Sequence, residues 1–217
     1  IHFAWRKNQP AVLHIPELNI AAGEHVFIQG ASGSGKSTLL SLLAGVNLPQ
    51  QGQVNVLDQT INQLSAAQRD HFRANHIGFV FQLFNLIPYL SVLENVTLPC
   101  RFSKQRHQKA TKNGNLVQEA IRLLEHLGMA DVLHREVTEL SVGQQQRVAT
   151  ARALMGSPEI IIADEPTSAL DSDRRQNFIE LLFAECAASN ATLLFVSHDQ
   201  QLQSLFGRHI ALADISR

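Results

Sequence analysis

Three stretches of the 217-residue chain carry residue types at spacings suited to phosphate chemistry. The first is GASGSGKST, Gly30 to Thr38, set between the apolar runs HVFIQ and LLSLLAG. It satisfies the pattern GxxxxGK[ST] in a strand, loop, helix setting, with Ser32 and Ser34 at variable positions. Glycines at 30, 33 and 35 let successive N–H groups turn inward and form a concave anion nest. Lys36 then reaches the β and γ phosphates of a nucleotide, Ser37 ligates Mg²⁺, and Thr38 contacts the α-phosphate side. The second stretch is IIIADEP, where Asp164 ends an apolar strand and Glu165 follows it. Asp164 is placed to hold Mg²⁺, and Glu165 to polarise the water that attacks the γ phosphate. The third is ELSVGQQQRV, residues 139–148, which reads either as a solvated Gln-rich segment or as a phosphate-attracting helix N-terminus.

These residues need a frame that brings them to one edge. Strand-length apolar runs recur at 25–29, 53–57, 77–81, 159–164 and 192–197. Several are apolar throughout and end in Gly, Ser or Asp, as in the buried strands of a mostly parallel sheet. Helical patterns alternate with them at 36–44, 66–75, 116–127, 144–155 and 174–188, which indicates an α/β architecture. The phosphate loop alone leaves the reaction open, because kinases, GTPases, helicases and transport ATPases share it.

Composition narrows the field. Eighteen Lys plus Arg balance nineteen Asp plus Glu, so no basic field advertises nucleic acid binding. Cys100 and Cys186 are far apart and patternless, which fits two free thiols in a reducing compartment. No run approaches the ~18 apolar residues of a spanning helix, and no signal peptide pattern opens the chain. The chain starts on Ile1 without an initiator Met and is read as trimmed there. The segment 101–115, with five Lys or Arg and no acid, reads as a solvated helix start or loop, or as a surface facing anionic lipid headgroups.

Taken in order, GASGSGKST, Gln82 in FVFQ, LSVGQQQR, IIIADEP, SALD and Ser197-His198-Asp199 resemble the nucleotide-binding domain of ABC transporters over nearly the whole chain. The resemblance implies a P-loop NTPase ABC-ATPase fold. It has a mostly parallel, RecA-like core (about 1–82 and 158–217), an antiparallel β subdomain and a helical subdomain (about 83–157). It also implies roles. Trp5 stacks on adenine; the phosphate loop, from Gly30, Ser32, Gly33, Ser34 and Gly35 to Lys36, Ser37 and Thr38, holds ATP. Ser37, Gln82 and Asp164 hold Mg²⁺; Glu165, His198 and Gln82 serve catalysis, His198 through the γ phosphate. Ser168 to Asp171 touch the opposite subunit. Ser141, Gly143 and Gln144 complete the ATP site of a second copy, so two chains sandwich two ATP molecules head to tail. Partners are thus a homodimer and an integral membrane permease, at the cytoplasmic face of the membrane, with no nucleic acid.

The run FQLFNLIPYLSVLENVTLP, residues 81–99, is similar to the branch serving lipoprotein release and macrolide or peptide export, and shares elements with importers of polar amino acids. A chromosome-maintenance ATPase of the same family needs long coiled-coil arms, whereas Lys36 and Leu140 are only 104 positions apart without sustained heptads. Translation-associated relatives carry two cassettes and this chain has one; a regulatory module without turnover conflicts with the retained Gln82, Glu165 and His198. The chain departs from the family pattern at Val142, where glycine is usual. A residue in the first turn of a helix has φ < 0, so Val142 is expected to leave turnover intact.

Overall fold

A computed structural model describes residues 1–6, 9–168 and 172–216. Two short strands, β1 (His2–Phe3) and β2 (Leu13–His14), pair antiparallel and precede β3 (His25–Gln29) and α1 (Lys36–Leu43). The hairpin β4 (Asn55–Val56) and β5 (Gln59–Thr60) leads to α2 (Ala66–His76) and β6 (Ile77–Val80). A helical stretch follows: α3 (Val92–Thr97), α4 (Pro99–Phe102), α5 (Lys104–Ala110), α6 (Leu116–His126) and α7 (Val142–Leu154). The chain closes with β7 (Ile160–Asp164), α8 (Ser172–Ser189), β8 (Thr192–Ser197), β9 (Arg208–Ala211) and α9 (Leu212–Ile215).

The main sheet is parallel throughout, in the order β6-β7-β8-β3-β9. Its inner strands are apolar on both faces because two cores lie against it. Phe27, Ile161, Leu193 and Phe195 point into the core shared with α3, α6, α7 and α8. Val26, Ile28, Ile160, Ile162, Leu194 and Val196 point into the core shared with α1, α2 and the antiparallel strands. Period-two alternation divides the inner strands between them. Parallel pairing in register, Gln29 with Ser197 and Asp164 with Val196, delivers the carboxyl ends of three strands to one edge. Ligands bind at that edge in open α/β sheets.

Two expectations need correction. The run 53–57 is not a strand of the parallel sheet; it shrinks to a two-residue antiparallel ladder because Leu57 (φ 49) and Asp58 (φ 62) form a tight turn directly after Val56. The basic stretch 101–115 is helical through α4 and α5, with a turn only at 111–115, and it is not wholly solvated. Arg106 on α5 is 3% exposed, and its guanidinium donates to Met155 O and Ala153 O, both at 2.7 Å, and to Ile77 O and Arg152 O at 3.4 Å. These include carbonyls that the end of α7 leaves unpaired. Burial draws the Arg106 pKa down to about 10, which still leaves it charged at neutral pH. At the same junction α7 crosses β6 so closely that a Cβ on Gly78 would lie 2.2 Å from Ala153 O.

A second polar anchor joins α6 to α8. Glu185, 8% exposed, meets Arg122 at 3.2 Å and His126 Nδ1 at 2.7 Å. Burial by itself raises its pKa, but hydrogen bonds from Arg122 and His126 outweigh that and hold it below the ordinary 4.5. A depressed carboxylate stabilises the fold above its unfolded pKa, and the contribution disappears as pH falls through the folded value. Glu185→Gln should therefore cost about 1–2 kcal/mol at pH 7, discounted for the partial exposure of Arg122. The difference from the unsubstituted chain, read from urea midpoints, should shrink as pH drops below about 4.5. An equal difference at every pH would mean that the charge on Glu185 contributes nothing.

Candidate active site

The phosphate loop joins β3 to α1. Gly33 (φ 77) and Gly35 (φ 98) take left-handed conformations, and a Cβ at Gly35 would come within 2.9 Å of Leu13. Gly35 is also the N-cap of α1, whose first N–H groups receive no side-chain cap and face the loop's concavity. Lys36 turns its ammonium onto Gly30 O (2.6 Å) and Ala31 O (3.0 Å), 3.9 Å from Glu165 Oε1. Ser34 Oγ is buried inside the loop without a hydrogen-bond partner among the described residues. An orphaned hydroxyl, an ammonium turned onto its own loop's carbonyls and uncapped N–H groups together fit a polyphosphate anion.

The two adjacent carboxylates have different surroundings. Asp164 Oδ2 accepts from Ser37 Oγ at 3.0 Å, which pairs the loop hydroxyl with the strand-end carboxylate as a Mg²⁺ site requires. Burial raises the Asp164 pKa, the Glu165 charge adds to the rise, and Ser37 and Lys36 oppose it. A cation there relieves both contributions. Glu165 adopts φ 48, a left-handed conformation costing about 1–3 kcal/mol for a residue with a Cβ, and its N–H is held by Val196 O at 2.9 Å. That turn swings its carboxylate away from Asp164 towards β8, where it accepts from Ser197 Oγ (3.2 Å) and meets His198 Nδ1 (2.9 Å). An ionised carboxylate only accepts, so the contact places hydrogen on Nδ1 and leaves Nε2 of the exposed imidazole for the cleft.

One cleft of about 770 Å³ gathers Trp5, Ser32, Gly33, Gly35, Lys36, Ser37, Thr38, Gln82, Asp164, Glu165 and His198. Trp5 sits exposed on its rim, edge-on to Phe3 at 5.1 Å. Gly30 and Ser34 lie in the loop behind it. Ser141, Gly143 and Gln144 are not among the described residues that line it. They start α7, with Ser141 as N-cap in a reciprocal box with Gln144 (2.9 and 3.4 Å). Val142, half exposed, is the first residue of that helix and is not left-handed, as expected. Asp171, with Ala169 and Leu170, lies outside the described residues.

Sequence reasoning gave no separate role to Ser197, though its position in the SHD triplet was the available signal. It also missed Arg152, whose fork donates to Asn85 O (2.6 Å) and Phe84 O (2.5 Å) just beyond Gln82. Phe84 (φ 60) and Asn85 (φ 48) are both left-handed.

The chain is similar to known proteins over most of its length. Residues 13–168 match the ABC transporter family. The lipoprotein-releasing system ATP-binding protein LolD of Acinetobacter baylyi is 42% identical over 201 residues, 93% of this chain and 86% of that one. The macrolide export ATP-binding/permease protein MacB of Pasteurella multocida is 40% identical over 206 residues, which span 95% of this chain and 31% of that longer protein. Among solved structures, the dimeric post-hydrolysis state of the cassette MJ0796 bound to ADP and Pi superposes with a TM-score of 0.81 at 38% identity, covering 97% and 90% of the two chains. The chain therefore belongs to the ABC transporter family.

Proposed function

We propose that this chain is the ATP-hydrolysing subunit of a membrane transporter, working as a head-to-tail dimer around two nucleotides at the cytoplasmic face of the membrane. The observation that carries the reading is the separation of the two carboxylates: Asp164 faces Ser37, while Glu165 is turned by its left-handed backbone to His198 and Ser197. Glu165 accepts a proton from water as the water oxygen attacks the γ phosphorus; the bond to the β–γ bridging oxygen breaks, leaving ADP and phosphate. Lys36 follows the charge on the transferred group, and His198 Nε2 orients it. Ser37, Asp164 and Gln82 would hold Mg²⁺, which would supply charge neutralisation to the nucleotide's phosphates. Trp5 offers its exposed indole face to the adenine.

Ser141, Gly143 and Gln144 stand at the exposed N-terminus of a 13-residue helix and are absent from their own chain's cleft among the described residues. A second copy related by a two-fold axis brings them onto the γ phosphate bound at the first copy's Lys36. Loss of the γ phosphate then loosens the dimer, which is how hydrolysis moves a permease. Exposed Leu83, Tyr89 and Phe102 supply apolar surface for such a membrane subunit. Likeness to LolD and MacB supports extrusion of a lipoprotein, macrolide or peptide. The test is concentration dependence. Specific ATPase activity should rise with protein concentration as dimers form, and Ser141→Arg should abolish activity while single-chain nucleotide affinity stays within about twofold. Full activity in that variant would overturn completion of the site in trans.

A further inference from the structure

Resting on that reading, we propose that Arg152 is a positioning residue that ties Gln82 of one ATP site to the signature turn presented to the other. Arg152 occupies the last turn of α7, the helix that begins with Val142 beside Ser141. Its two terminal nitrogens donate to the carbonyls of Phe84 and Asn85, consecutive left-handed residues without glycine's freedom. Phe84 is buried, and Phe84 N–H returns to Phe81 O at 2.9 Å, so the turn begins at the residue before Gln82. The far half of the loop is fixed separately. Asn95, fully buried on α3, receives Ile87 N–H at 2.8 Å and donates to the carbonyls of Ile87, Leu90 and Ser91.

The loop is thus held from α3 at one end and from α7 at the other, and exposed Gln82 lies at the α7-held end. The base of the fork is itself anchored, because Arg106 donates to Arg152 O. Two carbonyls side by side call for a planar pair of donors, which lysine lacks. A 13-residue helix of 1.5 Å rise spans about 20 Å, with Ser141 at one end and the fork at the other. Displacement of the signature turn by the partner's nucleotide therefore shifts Phe84 and Asn85, and with them Gln82. The fork gives each site a mechanical report of the other's occupancy.

Arg152→Lys tests this, because it keeps the charge and the aliphatic stem but not the fork; Arg152→Ala is the stronger second variant. Without nucleotide, amide hydrogen exchange should rise across residues 82–87 in Arg152→Lys and stay unchanged in the phosphate loop. At saturating protein, kcat should fall by roughly tenfold or more and the Hill coefficient for ATP should approach one, while single-chain MgATP affinity changes less than about twofold. Retained kcat and cooperativity in Arg152→Lys would overturn the inference, as would a fall matching only the loss of folded protein. The Glu165→Gln background separates this outcome from failure of the functional reading. If Glu165→Gln alone forms no ATP-dependent dimer, that reading fails; if it dimerises and Arg152→Lys remains cooperative, only the fork proposal does.

Discussion

Glu165→Gln should lower ATP hydrolysis by about 10²–10⁴-fold, equivalent to roughly 2.7–5.5 kcal/mol of barrier, while leaving ATP bound. The substitution keeps the volume and one carbonyl oxygen, so Ser197 Oγ and His198 Nδ1, at 3.2 and 2.9 Å, still have an acceptor. The backbone constraint is unaffected, because the left-handed turn is held by Glu165 N–H on Val196 O. What disappears is the ability to accept a proton from water, and an amide has no basic substitute for it. Removing a negative charge 3.9 Å from Lys36 also frees that ammonium for phosphate, so affinity for ATP should hold or improve. With binding intact and turnover blocked, ATP-bound dimers should accumulate on size exclusion while phosphate release falls to near background. Hydrolysis at the unsubstituted rate would remove Glu165 from its role as base and point to His198, whose imidazole meets the Glu165 carboxylate at 2.9 Å in the same cleft.

The site was legible to the extent that it depends on strand ends. Asp164, Glu165 and His198 each follow an apolar run that the parallel register delivers to the same edge, and a glycine loop before a helix announces itself by composition. The helix α6, with a strong apolar face, and α2, capped at Ser65, both appear within two residues of expectation. Short elements were harder. The helix α3 escaped notice although SVLE carries a reciprocal cap, Ser91 with Glu94, of the same kind that begins α7. Arg106 was hidden for another reason. A run of cations looks solvated until its helical phase is known, and only once Ser103, Arg106 and Ala110 share a face does one of the charges turn inward. Arg152 carried no sequence signal, because its partners are main-chain carbonyls, made available by two left-handed residues that composition does not mark.

Arg106→Met should destabilise the fold by about 3–5 kcal/mol, more than any surface substitution on the same helix. Two opposing effects decide the size. Burial of the guanidinium is costly, as its lowered pKa indicates, and an apolar side chain of similar length recovers that cost. Replacing a buried ion pair by apolar residues is often neutral because both charges leave together. Here the partners are carbonyls of Ala153, Met155, Arg152 and Ile77, which remain in place when the cation goes. The two at 2.7 Å lose their strongest donors, at about 1–3 kcal/mol for each buried acceptor left unpaired, and the end of α7 loses a favourable charge at its negative pole. Lys104→Met, on the exposed side of α5, should stay within about 0.5 kcal/mol and serves as the control. Urea midpoints at an unchanged m-value read the difference. A loss below about 1 kcal/mol would mean that water reaches those carbonyls once the side chain is removed, making Arg106 a replaceable cap rather than the bond between α5, α7 and the sheet.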